Sequence, residues 1–376
     1  MKVLRQKIEQ EIHERGPIPF SRYMELCLYD LELGYYSRRA EQFGKAGDFY
    51  TSSDVHAVFG RLLARQFDEM WKALNSPERI DLVELGPGRG LFAQDVLAWS
   101  EKRFPDFFRA LRYVLVETSP ALRERIKGTL KPHLDSGKVE VIAIYAPEGR
   151  SSCDTPTIIF ANEFFDALPV EVVSSQGALR IDAHNGHFIE CWAPHSPEEL
   201  EFLDRYSVHP EPDERIEVAL SAQQFMDRIA ASIQHGFLIA IDYGYTREEQ
   251  LAGRHRGTLK ALRQHSINAS PYEAPGEQDI TADVNFTALA AAAEKHGMQT
   301  RKLVTQSQFL MGIGEANQFA DAFEGCRLPQ ERAKVALQLK HLVTPAGMGE
   351  SFQVLIASKG IEKVSALSGL SFSRSR

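Results

Sequence analysis

The chain has 376 residues, enough for one large domain or two ordinary ones and for a sizeable buried core. With 43% hydrophobic and 25% charged residues it reads as globular, and a net charge of −8 leaves no basic footprint for nucleic acid. Four scattered cysteines, Cys27, Cys153, Cys191 and Cys326, fit neither a disulfide framework nor a zinc ribbon and point to a reducing compartment.

In chain order, residues 1–75 read as a helical cap. The opening stretch, MKVLRQKIEQEIHERG, has helical spacing and dense charge but no apolar signal core, and it stops at Gly16-Pro17. A second helix over 20–33 carries Tyr23, Met24, Leu26, Leu28, Tyr29 and Leu31, too many apolar groups for an exposed face, so it packs on a core. Residues 44–54 are rich in glycine and hydroxyls and precede a helix over 55–74, with Ser53 or Asp54 suited to its N-cap. That stretch reads equally as a surface loop or as a flap over a cofactor. No apolar run approaches a membrane span; the longest strand-like one covers only 237–241. The expectation is a cytosolic protein without a membrane span, with a bacterial cytosol favoured over a mitochondrial matrix.

Residues 80–90, IDLVELGPGRG, read as a buried strand, a tight glycine turn and a helix start. Gly86, Gly88 and Gly90 are spaced two apart, and Glu84 stands two before the first. A dinucleotide fingerprint would need a small residue at 91, where Leu91 stands, so an NAD enzyme ranks last among the readings. The E-L-G-x-G-x-G form resembles motif I of class I S-adenosylmethionine-dependent methyltransferases; an ordinary glycine-rich turn is the alternative. A second strand, 111–117, ends in Glu117, one crossover helix past the glycines, where a Rossmann-type fold places a carboxylate on the ribose hydroxyls. Ser119-Pro120 then starts a helix, and 138–144 is a third strand.

A fourth strand, 157–161, runs into Asn162-Glu163-Phe164-Phe165-Asp166. In open parallel sheets ligands sit outside the carboxyl ends of the strands, so Asn162, Glu163 and Asp166 emerge where a reacting group would lie. Residues 170–193 read as an inserted hairpin turning at Asn185-Gly186, where His184 and His187 flank the tip without a third metal ligand. A proline- and acid-rich link, 195–214, leads to a long helix over 216–235. A fifth strand, 236–241, ends in Asp242 and Tyr243. Residues 245–297 read as an irregular and helical insertion, 298–305 as strand six, 309–342 as mostly helical and 352–357 as the last strand. The serine-rich 361–376 is expected to be disordered.

Taken together, the segments GPIPFSRYM, GYYS, GDFYTSSD, VELGPGRG, NEFFDALPV, IDYG, HRGTLKA and DITADVNF resemble, in this order, the MidA family of class I methyltransferase-like proteins, over roughly residues 15–357. Its mitochondrial members include a complex I assembly factor reported as a protein-arginine methyltransferase. The resemblance implies an α/β fold with a seven-stranded Rossmann-like sheet, formed by 76–244 and 298–360. The insertion and the helices to about 345 would make a substrate or partner arm. It implies S-adenosyl-L-methionine as cofactor, held by Glu84, Gly86, Gly88, Gly90 and Glu117. It also implies a protein acceptor, with arginine of a respiratory complex I subunit as the example.

Asn162, Glu163 and Asp166 would then line the acceptor pocket. Mitochondrial members carry His where Asn162 stands, so no general base is assigned there; Ser53-Asp54 departs from a family Pro-Glu without consequence. An arginine nucleophile stays protonated, with a pKa above about 12, so carboxylates that grip the fork would orient it. Glu163 and Asp166 suit that role, with Phe164 or Phe165 and Tyr243 stacking on the planar group. Two rival readings are a cofactor-binding assembly chaperone without turnover and a small-molecule methyltransferase.

Overall fold

The computed structural model describes residues 2–37, 57–145, 155–263, 266–268, 270–345, 347–361 and 367–374. The stretch read as a flap or loop, 44–54, lies outside them. Seven strand positions build the main sheet: β1 (Ile80–Leu85), β2 (Leu111–Val116), β3 (Val139–Ile142), β4 (Thr157–Asn162), β5 (Gly236–Tyr245), β6 (Gln299–Thr300, resuming at Val304–Thr305) and β7 (Phe352–Lys359). Their spatial order is β3-β2-β1-β4-β5-β7-β6, with β3 to β5 parallel and β7 antiparallel to β5. Val284–Asn285 adds a short parallel pairing at the end of β5.

The central strands are covered on both faces, which is why they read as near-continuous apolar runs. All six residues of β1 are buried. Of its two carboxylates, Asp81 takes the Arg112 guanidinium (Nε to Oδ1, 2.8 Å) and Glu84 takes Tyr113 of β2. The helices include α1 (Lys2–Arg15), α2 (Phe20–Tyr29), α3 (Ala57–Ala73), α4 (Leu91–Arg103), α5 (Leu220–Ser232), α6 (Phe286–Lys295), α7 (Gln306–Glu315) and α8 (Pro329–Val343). On one face, α3, α4, α7 and α8 bury Phe67, Phe92, Phe309 and Leu342 against the sheet. On the other, α5 and α6 bury Met226, Ile229, Leu289 and Ala293.

Several boundaries differ from the sequence reading. Helix α3 belongs to the core layer, and the N-terminal segment adds a strand, Ile18–Pro19, that pairs with Gly177–His184. The expected hairpin is a larger sheet: Glu171–Ser174, Gly177–His184 and His187–Ala193 are joined by Ile18–Pro19 and by Ile216–Val218. Ile216–Val218 therefore starts no helix; three residues of Ile-Glu-Val suit either element, and pairing with Glu171–Val173 decides. The 195–214 link contains a helix, Pro197–Tyr206, started by a Ser196/Glu199 capping box.

The 245–297 insertion holds a three-stranded sheet, Lys260–Arg263, Ser266–Asn268 and Asp279–Thr281, and its last helix, α6, packs on the core. Helices α7 and α8 likewise lie on the core. In the tail, Ser368–Arg374 forms a 3-10 helix, with Leu367 and Leu370 buried against the core. Ser368 N–H and Oγ–H donate to Glu69 (2.8 and 2.9 Å), and Gly369 N–H donates to Gln66 (3.0 Å). Two leucines three apart find an apolar seam, and the polar groups of Ser368 find a partner in Glu69, so this part of the tail is ordered rather than disordered.

Candidate active site

At the carboxyl ends of β1, β2 and β4 lies a cavity of about 370 Å³, within the usual range for a small-molecule site. The glycine loop forms its floor. Gly86, Gly88 and Gly90 have φ of 64°, 53° and 75°, and Gly90 caps α4. At Gly86 an added Cβ would stand 3.0 Å from Phe164 Cδ2; at Gly88 it would meet no protein atom within 4 Å. The loop is thus bare backbone facing open cavity at one glycine and an aromatic ring at another.

Behind the loop, the Glu84 carboxylate accepts the Tyr113 hydroxyl at 2.8 Å. Burial pushes its pKa up to about 8 against the lowering effect of that bond. Glu117 follows directly on β2 and lines the cavity. Its Oε1 accepts the Ser119 N–H at 2.8 Å, and burial lifts its pKa to about 7 although that amide, Arg123, and the amides of Thr118 and Gly88 oppose the rise. Ser119 also caps the next helix, accepting from Leu122 N–H.

The four residues expected at the acceptor side divide. Asn162 and Glu163 line the cavity together with Phe164, whereas Asp166 and Tyr243 do not. Asn162 Nδ2 donates to Glu163 Oε1 at 3.0 Å, while Asn162 Oδ1 is buried and finds no hydrogen-bond partner among the described residues. Glu163 has φ of 50°, a left-handed conformation rare for a side chain of its size. Asp166 is buried, with its pKa raised well above the carboxylate range by burial and by Asp242 and Asp279. The Tyr243 ring packs on Phe352 with centroids 3.8 Å apart, which turns it to the core layer.

Sequence reasoning missed Tyr29 and Tyr36 as site residues. Both line the cavity, their rings 5.4 Å apart. Tyr29 Oη–H donates to the Ala167 carbonyl at 2.9 Å and Tyr36 Oη–H to Asp279 Oδ1 at 2.8 Å, so the N-terminal segment closes one wall. No local signal marks them; only the fold brings them there. Among the described residues no cluster of potential metal ligands occurs, and no helix is long and apolar enough to cross a membrane.

A glycine loop after the first strand, a carboxylate after the second, and this strand order with one antiparallel member define a nucleoside-binding domain of the class I methyltransferase type. Comparison with known proteins agrees. Residues 62–304 match the family model of an S-adenosyl-L-methionine-dependent methyltransferase, and the chain belongs to that family. It is 29% identical to the mitochondrial protein arginine methyltransferase NDUFAF7 homolog of Drosophila melanogaster, over 95% of this chain and 85% of that one. With the human protein arginine methyltransferase NDUFAF7 it shares 27% identity over 91% and 80%. A crystal structure of a candidate methyl transferase from Burkholderia thailandensis bound to S-adenosyl-homocysteine superposes with a TM-score of 0.83 at 27% identity, covering 98% of this chain and 95% of that one. The protein is an S-adenosylmethionine-dependent methyltransferase.

The cavity fits that cofactor. Gly88 leaves open space where a Cβ would intrude, Glu117 would accept a ribose diol, and Leu122, Ala143, Ile144 and Ile229 would give an apolar wall for a base. When bound, the cofactor supplies a methyl group already activated on a sulfonium. The protein's work is to bind and align.

Proposed function

We propose that the methyl acceptor is a guanidinium nitrogen of an arginine in a protein. The observation that carries this is Asn162 Oδ1, a buried acceptor without a partner, tied through its own amide to Glu163 at the cavity wall. Such a pair asks for N–H donors. A guanidinium presents five in a fixed planar fork, and a carboxylate beside it orients one nitrogen and stabilises the charge as it shifts. Tyr29 and Tyr36 line the same cavity and give aromatic faces, which suit a planar cation better than Tyr243 does.

The relatives' names, protein arginine methyltransferase, support the same reading. A respiratory complex I subunit, which the family resemblance implies, is the first acceptor to try. Free thiols at Cys27, Cys191 and Cys326 accord with a reducing compartment. The test is incubation of the purified protein with methyl-tritiated S-adenosylmethionine and proteins from cells lacking it, followed by hydrolysis to amino acids. Label in methylated arginine is expected. Label confined to small molecules, or to other amino acids, overturns the assignment.

A further inference from the structure

Asp242 is 1% exposed and lies on β5 beside the point where β4 ends. It does not line the cavity. Its Oδ2 accepts three successive backbone N–H groups, from Phe164 (3.1 Å), Phe165 (2.9 Å) and Asp166 (3.3 Å), and its Oδ1 accepts the N–H of Tyr243 (2.9 Å). Three consecutive amides converge on one oxygen only where the chain turns around it. Here β4 leaves the sheet after Asn162, Glu163 N–H donates to the Ile241 carbonyl at 2.9 Å, and Glu163 takes the left-handed conformation. That conformation is unfavourable for a residue with a Cβ and persists only where its surroundings over-determine it.

Downstream of this anchor, Phe164 lies against Gly86 and is braced by Phe165 and Phe225, with ring centroids 5.3 and 5.0 Å away. We infer that Asp242 is a positioning residue: its carboxylate fixes the 163–166 turn so that Phe164 closes on the glycine loop while Glu163 faces the cavity. One buried carboxylate thereby joins the cofactor side of the site to the acceptor side. The Phe164 arm stands on the methyltransferase fold alone; the Glu163 arm rests on the guanidinium reading.

The experiment is calorimetric titration of the full chain with S-adenosylhomocysteine for the parent, Asp242→Ala, Asp242→Asn, Phe164→Ala and the Asp242→Ala/Phe164→Ala pair, with thermal melts alongside. Asp242→Ala is expected to weaken binding roughly tenfold, the scale of a lost buried acceptor. Asp242→Asn, which keeps an oxygen of the same shape for the amides, recovers most of the affinity. On the Phe164→Ala background, Asp242→Ala adds little, because residues acting through one contact are non-additive. Full additivity in the pair, or parental affinity in Asp242→Ala, overturns the inference. Should Asp242→Ala not fold, Asp242→Glu keeps the charge but displaces the oxygens by one methylene, and parental affinity there overturns it equally. Turnover plays no part in this readout, so a mistaken acceptor leaves it untouched.

Discussion

Glu84 and Tyr113, on neighbouring parallel strands, share a buried hydrogen bond of 2.8 Å directly behind the glycine loop. A carboxylate so enclosed holds its proton: burial moves its pKa from 4.5 to about 8. The sign follows from linkage. Where the folded pKa is raised, the group's contribution to stability is fully present below the unfolded value and is lost as pH rises through the folded one. The cofactor-free protein should therefore lose stability across the window from 4.5 to about 8, and Glu84→Gln, which cannot ionise, should flatten that loss. Thermal melts across the window check it. Equal slopes in the two proteins would show that Glu84 is ionised throughout.

Phe164 gives the glycine loop a second constraint besides its backbone angles. Gly86→Ala should weaken S-adenosylhomocysteine binding about tenfold or more, through backbone strain and through the 3.0 Å approach of its methyl to the Phe164 ring. Removing the ring isolates the second part, so the penalty should shrink but persist on a Phe164→Ala background. A penalty of unchanged size there assigns the whole effect to the backbone. Titration of the four proteins reads this directly.

Most of the cofactor half of the site is local in sequence, and for that reason it was legible. Glu84, the glycines and Glu117 each follow from a strand running into a turn or a strand end; Glu84, Gly86, Gly88 and Glu117 line the cavity, and Gly90 caps the next helix. Asn162 and Glu163 were legible for the same reason. Asp166 and Tyr243 were grouped with them by proximity along the chain, but a bend at Glu163 sends Asp166 behind the wall, and the Phe352 ring holds Tyr243 in the core layer. Tyr29 and Tyr36 lie well over a hundred residues from Ala167 and Asp279, and no periodicity records such a meeting. Asp242 was visible as an acid at a strand end; its partners are backbone amides, which carry no side-chain signature.

The ordered tail offers an independent check on packing. Leu370 is 6% exposed and joins the cluster formed by Phe309, Ile313 and Leu342. Leu370→Ala should cost roughly 2–5 kcal/mol of stability, the range for leucine truncation in a core. S-adenosylhomocysteine affinity should stay within about twofold, because Leu370 does not line the cavity. Chemical denaturation with urea measures the first and calorimetry the second. An unchanged denaturation midpoint would mean the tail is not held in solution.

Tyr36 joins the N-terminal wall to the inserted sheet through Asp279. Tyr36→Phe keeps the ring and removes the donor, so a loss of about 1–3 kcal/mol in stability is expected, the range for a lost hydrogen bond to a carboxylate. The ring itself still lines the cavity, and cofactor affinity should fall less than in Tyr36→Ala. Equal affinities in the two variants would remove the aromatic face from the binding wall.

Glu163 and Asp166 are the sharpest pair to separate, because sequence gives them one role and the structure gives them two positions. Glu163 lines the cavity and receives the Asn162 amide, whereas Asp166 lies beside Asp242 and Asp279, where burial first and then these neighbours raise its pKa. Glu163→Gln keeps the shape and removes the charge that would grip a guanidinium, so methyl transfer to protein arginine should fall by about a hundredfold or more. S-adenosylhomocysteine binding should persist. Asp166→Asn removes a carboxyl held above its ordinary pKa, and burial of a neutral amide in its place relieves repulsion. As pH rises past the unfolded pKa of 3.8, the parent loses the stability that proton binding gave it, so Asp166→Asn should be the more stable of the two on the alkaline side. Its turnover should stay within about tenfold of the parent, the range of a residue that supports geometry without touching the acceptor. Radiolabel transfer with both variants, read beside their melting temperatures, decides the matter. If Asp166→Asn abolishes transfer while Glu163→Gln retains it, the carboxylate that meets the acceptor is the buried one, and the turn must open for the reaction to proceed.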